Sequence, residues 1–109
     1  MIVLTTIEEV HALIEENQFS FLYISRENCS VCHTLLPQVK EVVLKFPKIQ
    51  FAFINADDVE EIAGHFSIFT VPAMLLFIDG KEYIREARFV HIDELEKKIN
   101  KLYHLVIEQ

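Results

Sequence analysis

The chain has two cysteines, Cys29 and Cys32, three residues apart in the stretch Ser25-Arg26-Glu27-Asn28-Cys29-Ser30-Val31-Cys32-His33. Upstream, Phe19-Ser20-Phe21-Leu22-Tyr23-Ile24 is aromatic and β-branched and reads as a buried strand. Downstream, Leu35, Leu36, Val39, Val42, Val43 and Phe46 recur at spacings of three and four, the pattern of a helix running to about Phe46. Cys29 therefore falls at a strand-to-helix junction, with Cys32 one turn into the helix. Unpaired N–H groups and the positive end of the macrodipole favour an anion there, and a thiolate is such an anion. The expected Cys29 pKa lies in the range of roughly 3.5–7.5 that activated cysteines show. Residues i and i+3 of a helix lie about 5–6 Å apart, within the Cα separation of roughly 4.4–6.8 Å that a disulfide needs. An exposed thiolate with a thiol one turn behind it makes a reversible redox couple.

Short elements position this pair. Ile2-Val3-Leu4 is a strand candidate, and Thr6-Ile7-Glu8-Glu9 has capping-box spacing that opens a helix to about Glu16. After the strand from Phe19 to about Ser25 comes the cysteine helix, whose internal Pro37 is expected to kink it. Ile49 to Ile54 is the next strand, followed by a helix from Asp58 to about Phe66 capped by Asp57 or Asp58. Val71-Pro72 precedes an apolar strand, Ala73 to Ile78, and Asp79-Gly80 turns it into Lys81 to about Arg88. A last helix from Ile92 to Val106 carries Ile92, Leu95, Ile99, Leu102 and Val106 on one stripe. The order βαβαβαββα describes an α/β domain over residues 1–109. Strands joined through helices are expected to pair in parallel, with the hairpin adding one antiparallel edge to a mixed sheet flanked by helices.

Composition narrows the classes. At 51% hydrophobic residues and a mean hydropathy of +0.25, the 109-residue chain can bury a core without staples. A formal charge of −7 argues against nucleic acid or an anionic membrane as the principal partner. No apolar run is long enough to span a bilayer, and Glu8 and Glu9 interrupt the N-terminal apolar stretch too early for a signal peptide. A cytoplasmic location is expected. In a reducing compartment a single cysteine pair points to catalysis or metal binding rather than to a staple.

The chain resembles the thioredoxin family over nearly its whole length. The resemblance rests on Cys29-Ser30-Val31-Cys32 after a buried strand, Pro37 five residues past the second cysteine, Val71-Pro72 before a strand, and Gly80 in the last hairpin. It implies a thioredoxin fold and dithiol–disulfide exchange, with Cys29 as the attacking thiolate and Cys32 as the resolving thiol. Pro72 would be a cis-proline beside the pair, and the backbone of Val71 would pair with an extended substrate segment. The chain also departs from the family. Asn28 stands where a tryptophan is usual and Ser30-Val31 where Gly-Pro is usual. Tyr23 and Phe53 replace a buried aspartate and its lysine, and no glycine occurs near Phe89-Val90.

Other readings of the same residues compete. Two buried thiols can serve as small apolar side chains. Cys29-Ser30-Val31-Cys32-His33 also matches the C-x-x-C-H haem-attachment signature, although Met74 is the one methionine besides Met1 and falls in a core strand. A zinc site built on Cys29, Cys32 and His33 would need a fourth ligand, and the other histidines are scattered. His33 is i+4 from Cys29, a spacing that lets its imidazole approach the sulfur, and it reads equally as a solvated surface histidine; Arg26 and Glu27 read as solvated. Tyr23 shares a strand face with Phe19 and Phe21 and is expected to be buried, with its hydroxyl donating towards the region of Cys32. The resulting expectation is a thiol–disulfide oxidoreductase that acts on protein disulfides without an organic cofactor. Its electrons would come from a reductase or a low-molecular-weight thiol. The rival is a protein-binding module with the same fold and a slow or vestigial redox pair.

Overall fold

The computed structural model describes residues 1–109. The elements are β1 (Ile2–Leu4), α1 (Ile7–Glu16), β2 (Phe19–Ser25), α2 (Ser30–Val43), β3 (Ile49–Asn55), α3 (Ile62–Phe66), β4 (Ala73–Ile78), β5 (Lys81–Ala87) and α4 (Ile92–Ile107). They form one five-stranded sheet in the order β1-β3-β2-β4-β5. β3 pairs in parallel with both β1 and β2, whereas β4 is antiparallel to both β2 and β5.

The direction of β4 corrects the sequence expectation of parallel pairing. At a rise of about 1.5 Å per residue a five-residue α3 spans only about 8 Å, against about 23 Å for a seven-residue strand. Such a helix does not return the chain to the far end of the sheet. β4 therefore starts where β2 and β3 finish, with Ala73 opposite Ile24 and Ser25 opposite Asn55.

Every residue of β2 is buried, because it has a strand on each side and helices over each face. Its alternation divides the core. Phe19, Phe21 and Tyr23 face α2 and α4, where they join Val39, Val42, Val43, Leu95 and Ile99. Leu22 and Ile24 face α1 and α3, with Val10, Ile14, Ile54 and Ile62. The capping box expected for α1 is present: Glu9 N–H donates to Thr6 Oγ1 at 3.1 Å and Thr6 N–H to Glu9 Oε1 at 3.1 Å.

Two helix boundaries and one buried face differ from the periodicity. α2 ends at Val43, and the chain tightens through bonds from Lys45 N to Val42 O and Phe46 N to Val43 O. Phe46 stays buried through these turns, which is why its spacing imitates a longer helix. α3 begins at Ile62, since Asn55 O holds the N–H groups of both Asp58 and Val59 in a turn. Its N-cap is Glu61 without a side-chain bond, so neither Asp57 nor Asp58 caps it. α4 buries Tyr103 besides Leu95 and Ile99, and the Tyr103 hydroxyl accepts from Lys48 N–H at 3.2 Å.

Ile99 is fully buried between α4 and the sheet, on the face that carries α2. Ile99→Ala is expected to lower the unfolding free energy by about 2–5 kcal/mol, whereas exposed Lys97→Ala should change it by less than about 0.5 kcal/mol. Urea titrations of both variants check this, and equal midpoints would mean that α4 is not docked as described.

Candidate active site

β2 ends at Ser25, and four residues later the chain enters α2 with Cys29 as its N-cap. Cys29 is half-buried and Cys32 has no exposed surface. The two form a disulfide with a Cα separation of 5.3 Å. Cys29 Sγ accepts a hydrogen bond from Cys32 N–H at 3.2 Å, and Cys29 O accepts from His33 N–H at 3.3 Å. The sulfur thus takes up one of the N–H groups that a helix start leaves unpaired.

Beneath the pair lies Tyr23, fully buried, whose hydroxyl donates to Cys32 O at 2.6 Å. This is the direction expected from the sequence. The ring sits over Phe53 at 6.3 Å and near Phe51 at 6.4 Å, so the floor of the site is aromatic and uncharged. Burial pushes the Tyr23 pKa up to about 12, and the group stays a donor throughout the neutral range.

The Val71-Pro72 peptide is cis and lies across the groove from the cysteines. Pro72 O accepts from Arg88 N–H at 2.8 Å, whereas neither the N–H nor the carbonyl of half-exposed Val71 is used in any hydrogen bond of the chain. Asn28, Cys29, Ser30 and Val31 form one wall of this groove of about 270 Å³, and Val71, Pro72, Arg88 and Phe89 form the other. Phe89 and Val31 are exposed on its walls, at 81% and 51%, and Phe69, at 89%, lines the adjoining depression that shares Val71.

The flanking charges are exposed, as the sequence suggests, but they also hold the loop. Arg26 Nη1 pairs with Asp57 Oδ1 at 2.7 Å, and Glu27 N–H donates to Asp57 Oδ2 at 3.0 Å. Asn55 Nδ2 reaches Glu27 Oε2 at 3.3 Å. These bonds pin the loop before Cys29 to the turn after β3. Of the two readings of His33, the structure has the exposed surface residue: its Nε2 lies 3.0 Å from Glu27 O, not on the Cys29 sulfur. Sequence reading missed Asn55, Asp57, Arg88 and Phe89. The one available signal was the pair of polar residues, Asn55 and Asp57, just beyond an apolar strand.

A cysteine pair bonded across the first turn of a helix, under an open groove, marks a thiol–disulfide oxidoreductase of the thioredoxin fold. The thioredoxin family model matches residues 2–101, and the chain belongs to that family. It is 53% identical over 102 residues to the thioredoxin-like protein YdfQ of Bacillus subtilis (strain 168), covering 94% of this chain and 91% of that protein. The structure of Fasciola hepatica thioredoxin superimposes with a TM-score of 0.82 at 26% identity, covering 93% of this chain and 98% of that one. Trypanosoma brucei brucei thioredoxin gives a TM-score of 0.84 at 18% identity, with coverages of 94% and 89%, a likeness of fold alone. No helix is long and apolar enough to cross a membrane.

Two pH responses follow from the site. The Glu27 N–H and then the Arg26 guanidinium hold the Asp57 carboxyl below its usual range. With the folded value lower than the unfolded one, the tether is complete above about pH 3.9 and is lost as pH falls through the folded value. The Glu27 amide signal in a 15N NMR titration should therefore move with a midpoint below 3.8; a midpoint at or above 3.8 would contradict the tether. For Tyr23 the folded value is the higher one, so its contribution is full below about pH 10 and declines as pH rises from there through the folded value near 12. Tyr23→Phe should cost about 0.5–1.5 kcal/mol at pH 7 through loss of the hydroxyl bond. The loss of stability between pH 10 and 12 should be shallower in this variant. Parallel curves for the two proteins would show that Tyr23 ionises freely in the fold.

Proposed function

We propose that Cys29 is the attacking thiolate and Cys32 the resolving thiol in the reduction of protein disulfides. The observation that carries this order is their unequal exposure: Cys29 is half-buried at the groove and caps α2, while Cys32 is sealed beneath it. In the reduced protein, the N–H of Cys32 and the helix start favour a thiolate at Cys29. Its attack on a substrate disulfide forms a mixed disulfide and expels one substrate thiolate. Cys32, as thiolate, then attacks Cys29 Sγ, releases the second substrate thiol and closes the Cys29–Cys32 bond. Two electrons and two protons pass to the substrate, and a reductase or a low-molecular-weight thiol restores the dithiol.

The unused N–H and carbonyl of Val71 support a place for an extended substrate segment, paired as an added strand with Pro72 beneath it. Tyr23 acts through Cys32, by fixing the carbonyl of that residue and offering no base to its thiol. His33 acts on the loop through Glu27 O. No organic cofactor enters the cycle. The absence of a span and the charge of −7 support a cytoplasmic protein with neither nucleic acid nor membrane as partner. The second reading, a binding module, draws on the exposed ring of Phe89 on the groove wall and that of Phe69 in the adjoining depression.

Insulin reduction with dithiothreitol separates the two. The native chain should accelerate precipitation and Cys29→Ser should abolish the acceleration, whereas a native rate equal to buffer would favour the module. Cys29 should alkylate faster than Cys32 near pH 7 in the reduced protein. Cys32→Ser should accumulate stable mixed disulfides and Cys29→Ser few. Equal trapping by the two variants would overturn the order of attack.

A further inference from the structure

Three residues other than glycine adopt positive φ: Ser67 at 54°, Asp79 at 52° and Arg88 at 65°. Ser67 is the left-handed C-cap of α3, and Asp79 precedes Gly80 in the β4–β5 turn. Short polar side chains suit such positions, and a turn or helix end accounts for both. Arg88 also sits at the centre of a tight turn, closed by Phe89 N–H on Ala87 O at 2.9 Å, but its side chain is not one of the short polar ones that suit this backbone. What its backbone does there is donate its N–H to Pro72 O at 2.8 Å, a bond that a glycine would make without steric cost. The side chain must therefore supply the reason for an arginine.

That side chain lies exposed on the wall of the groove opposite Cys29, with its Cζ 5.5 Å from the centroid of the Phe89 ring. Of the three arginines, Arg26 is paired with Asp57 and Arg85 with Glu82. Arg88 makes no ion pair and no side-chain hydrogen bond. It is the one cation lining the groove, in a chain whose net charge of −7 repels acidic ligands elsewhere. Its planar guanidinium fits a carboxylate with two parallel hydrogen bonds, and the Phe89 ring beside it restricts where it points.

We propose that Arg88 selects protein segments that carry an aspartate or glutamate beside the disulfide attacked by Cys29. This rests on the oxidoreductase reading and names the substrate class for it. Arg88 takes no part in the electron transfer. The Cys29 thiolate displaces one substrate sulfur, the Cys32 thiolate displaces the other from Cys29, and the two electrons and two protons lost by the dithiol appear in two substrate thiols. Arg88 raises the rate of productive encounter for acidic segments and lowers it for basic ones.

The test uses three cyclic disulfide peptides that differ only in the residue preceding one cysteine: Glu, Gln or Lys. Full-length protein reduced beforehand with dithiothreitol, then freed of it, reacts with each peptide in a single turnover. Each rate is divided by that peptide's rate with dithiothreitol, which removes differences in intrinsic reactivity. The order Glu, Gln, Lys is expected, with a Glu-to-Lys ratio of roughly fivefold at low salt that shrinks towards one at about 0.5 M salt. Arg88→Lys should keep the order and Arg88→Glu should reverse it. Arg88→Gly, which suits φ 65°, should fold at least as stably and bring the ratio to about one. Reduction of all three peptides at equal normalised rates by the native chain would overturn the proposal, as would an undiminished ratio in Arg88→Gly. Reduction of none of them would sink the oxidoreductase reading itself, and the proposal with it.

Discussion

The hydrogen bond from Tyr23 Oη to Cys32 O joins the middle of the sheet to the first turn of the helix that carries the cysteines. β2 is buried at all seven residues, so its position is set by β3, β4 and the helices on both faces. A hydroxyl sealed in such a place would be costly without an acceptor. The acceptor it finds is the backbone carbonyl of the third residue of α2. The register of α2 over the sheet, and with it the placement of Cys29 at the rim and Cys32 beneath, depends on this contact. The apolar packing of Val39, Val42 and Val43 holds the rest of the helix but does not direct its first turn.

Charge is confined to the rim of the site. Ser20 and Ser25 are the only buried polar residues, and no buried side-chain polar atom lacks a partner. Tyr23 and Phe53, opposite one another on β2 and β3, occupy the places where the family resemblance leads one to expect an aspartate and a lysine. An uncharged floor avoids a desolvation cost of several kcal/mol per buried ion. The fixed charges instead secure the loop: Asp57 gathers the Arg26 guanidinium and the Glu27 amide, and so holds the approach to Cys29 from outside. Across the groove Arg88 is left unpaired. One wall has its charges satisfied internally, and the other presents an open cation.

Most of the architecture was legible because burial and period agree in this chain. β2 and β4 read as continuous apolar runs, Asp79-Gly80 marks the hairpin, and Thr6 to Glu9 spells out its own cap. The failures occur where a side chain has two possible partners. The sequence offers Asp57 or Asp58 as a helix cap, but the loop amide of Glu27 competes for the Asp57 carboxylate and wins. His33 has the spacing to reach Cys29, but the carbonyl of Glu27 lies within reach of its ring once the loop is pinned. The direction of β4 depends on the length of α3, and Asp58 to Glu61 look helical in sequence although they form turns. The cis peptide at Pro72 was expected only through the family resemblance, since nothing local in Val71-Pro72 demands it. The left-handed backbone of Arg88 left no local signal at all.

The neutral floor also bears on how the proposed cycle handles its proton. Resolution requires Cys32 to lose a proton while wholly buried. Tyr23 cannot accept it, because a group whose pKa is pushed up to about 12 remains protonated across the neutral range. Phe53 has no site for it, and His33 is turned to the carbonyl of Glu27 on the exposed side of the helix. The exit left open is upward, past Cys29 to the groove. On the proposed cycle, a substrate in that groove would stand between Cys32 and water, and proton release would depend on how it sits between Val31 and Arg88. A buried carboxylate would decouple the two by accepting the proton from below. With tyrosine in that place the chain has an uncharged core and no acceptor from below, so on the proposed cycle the second step would answer to the rim of the site.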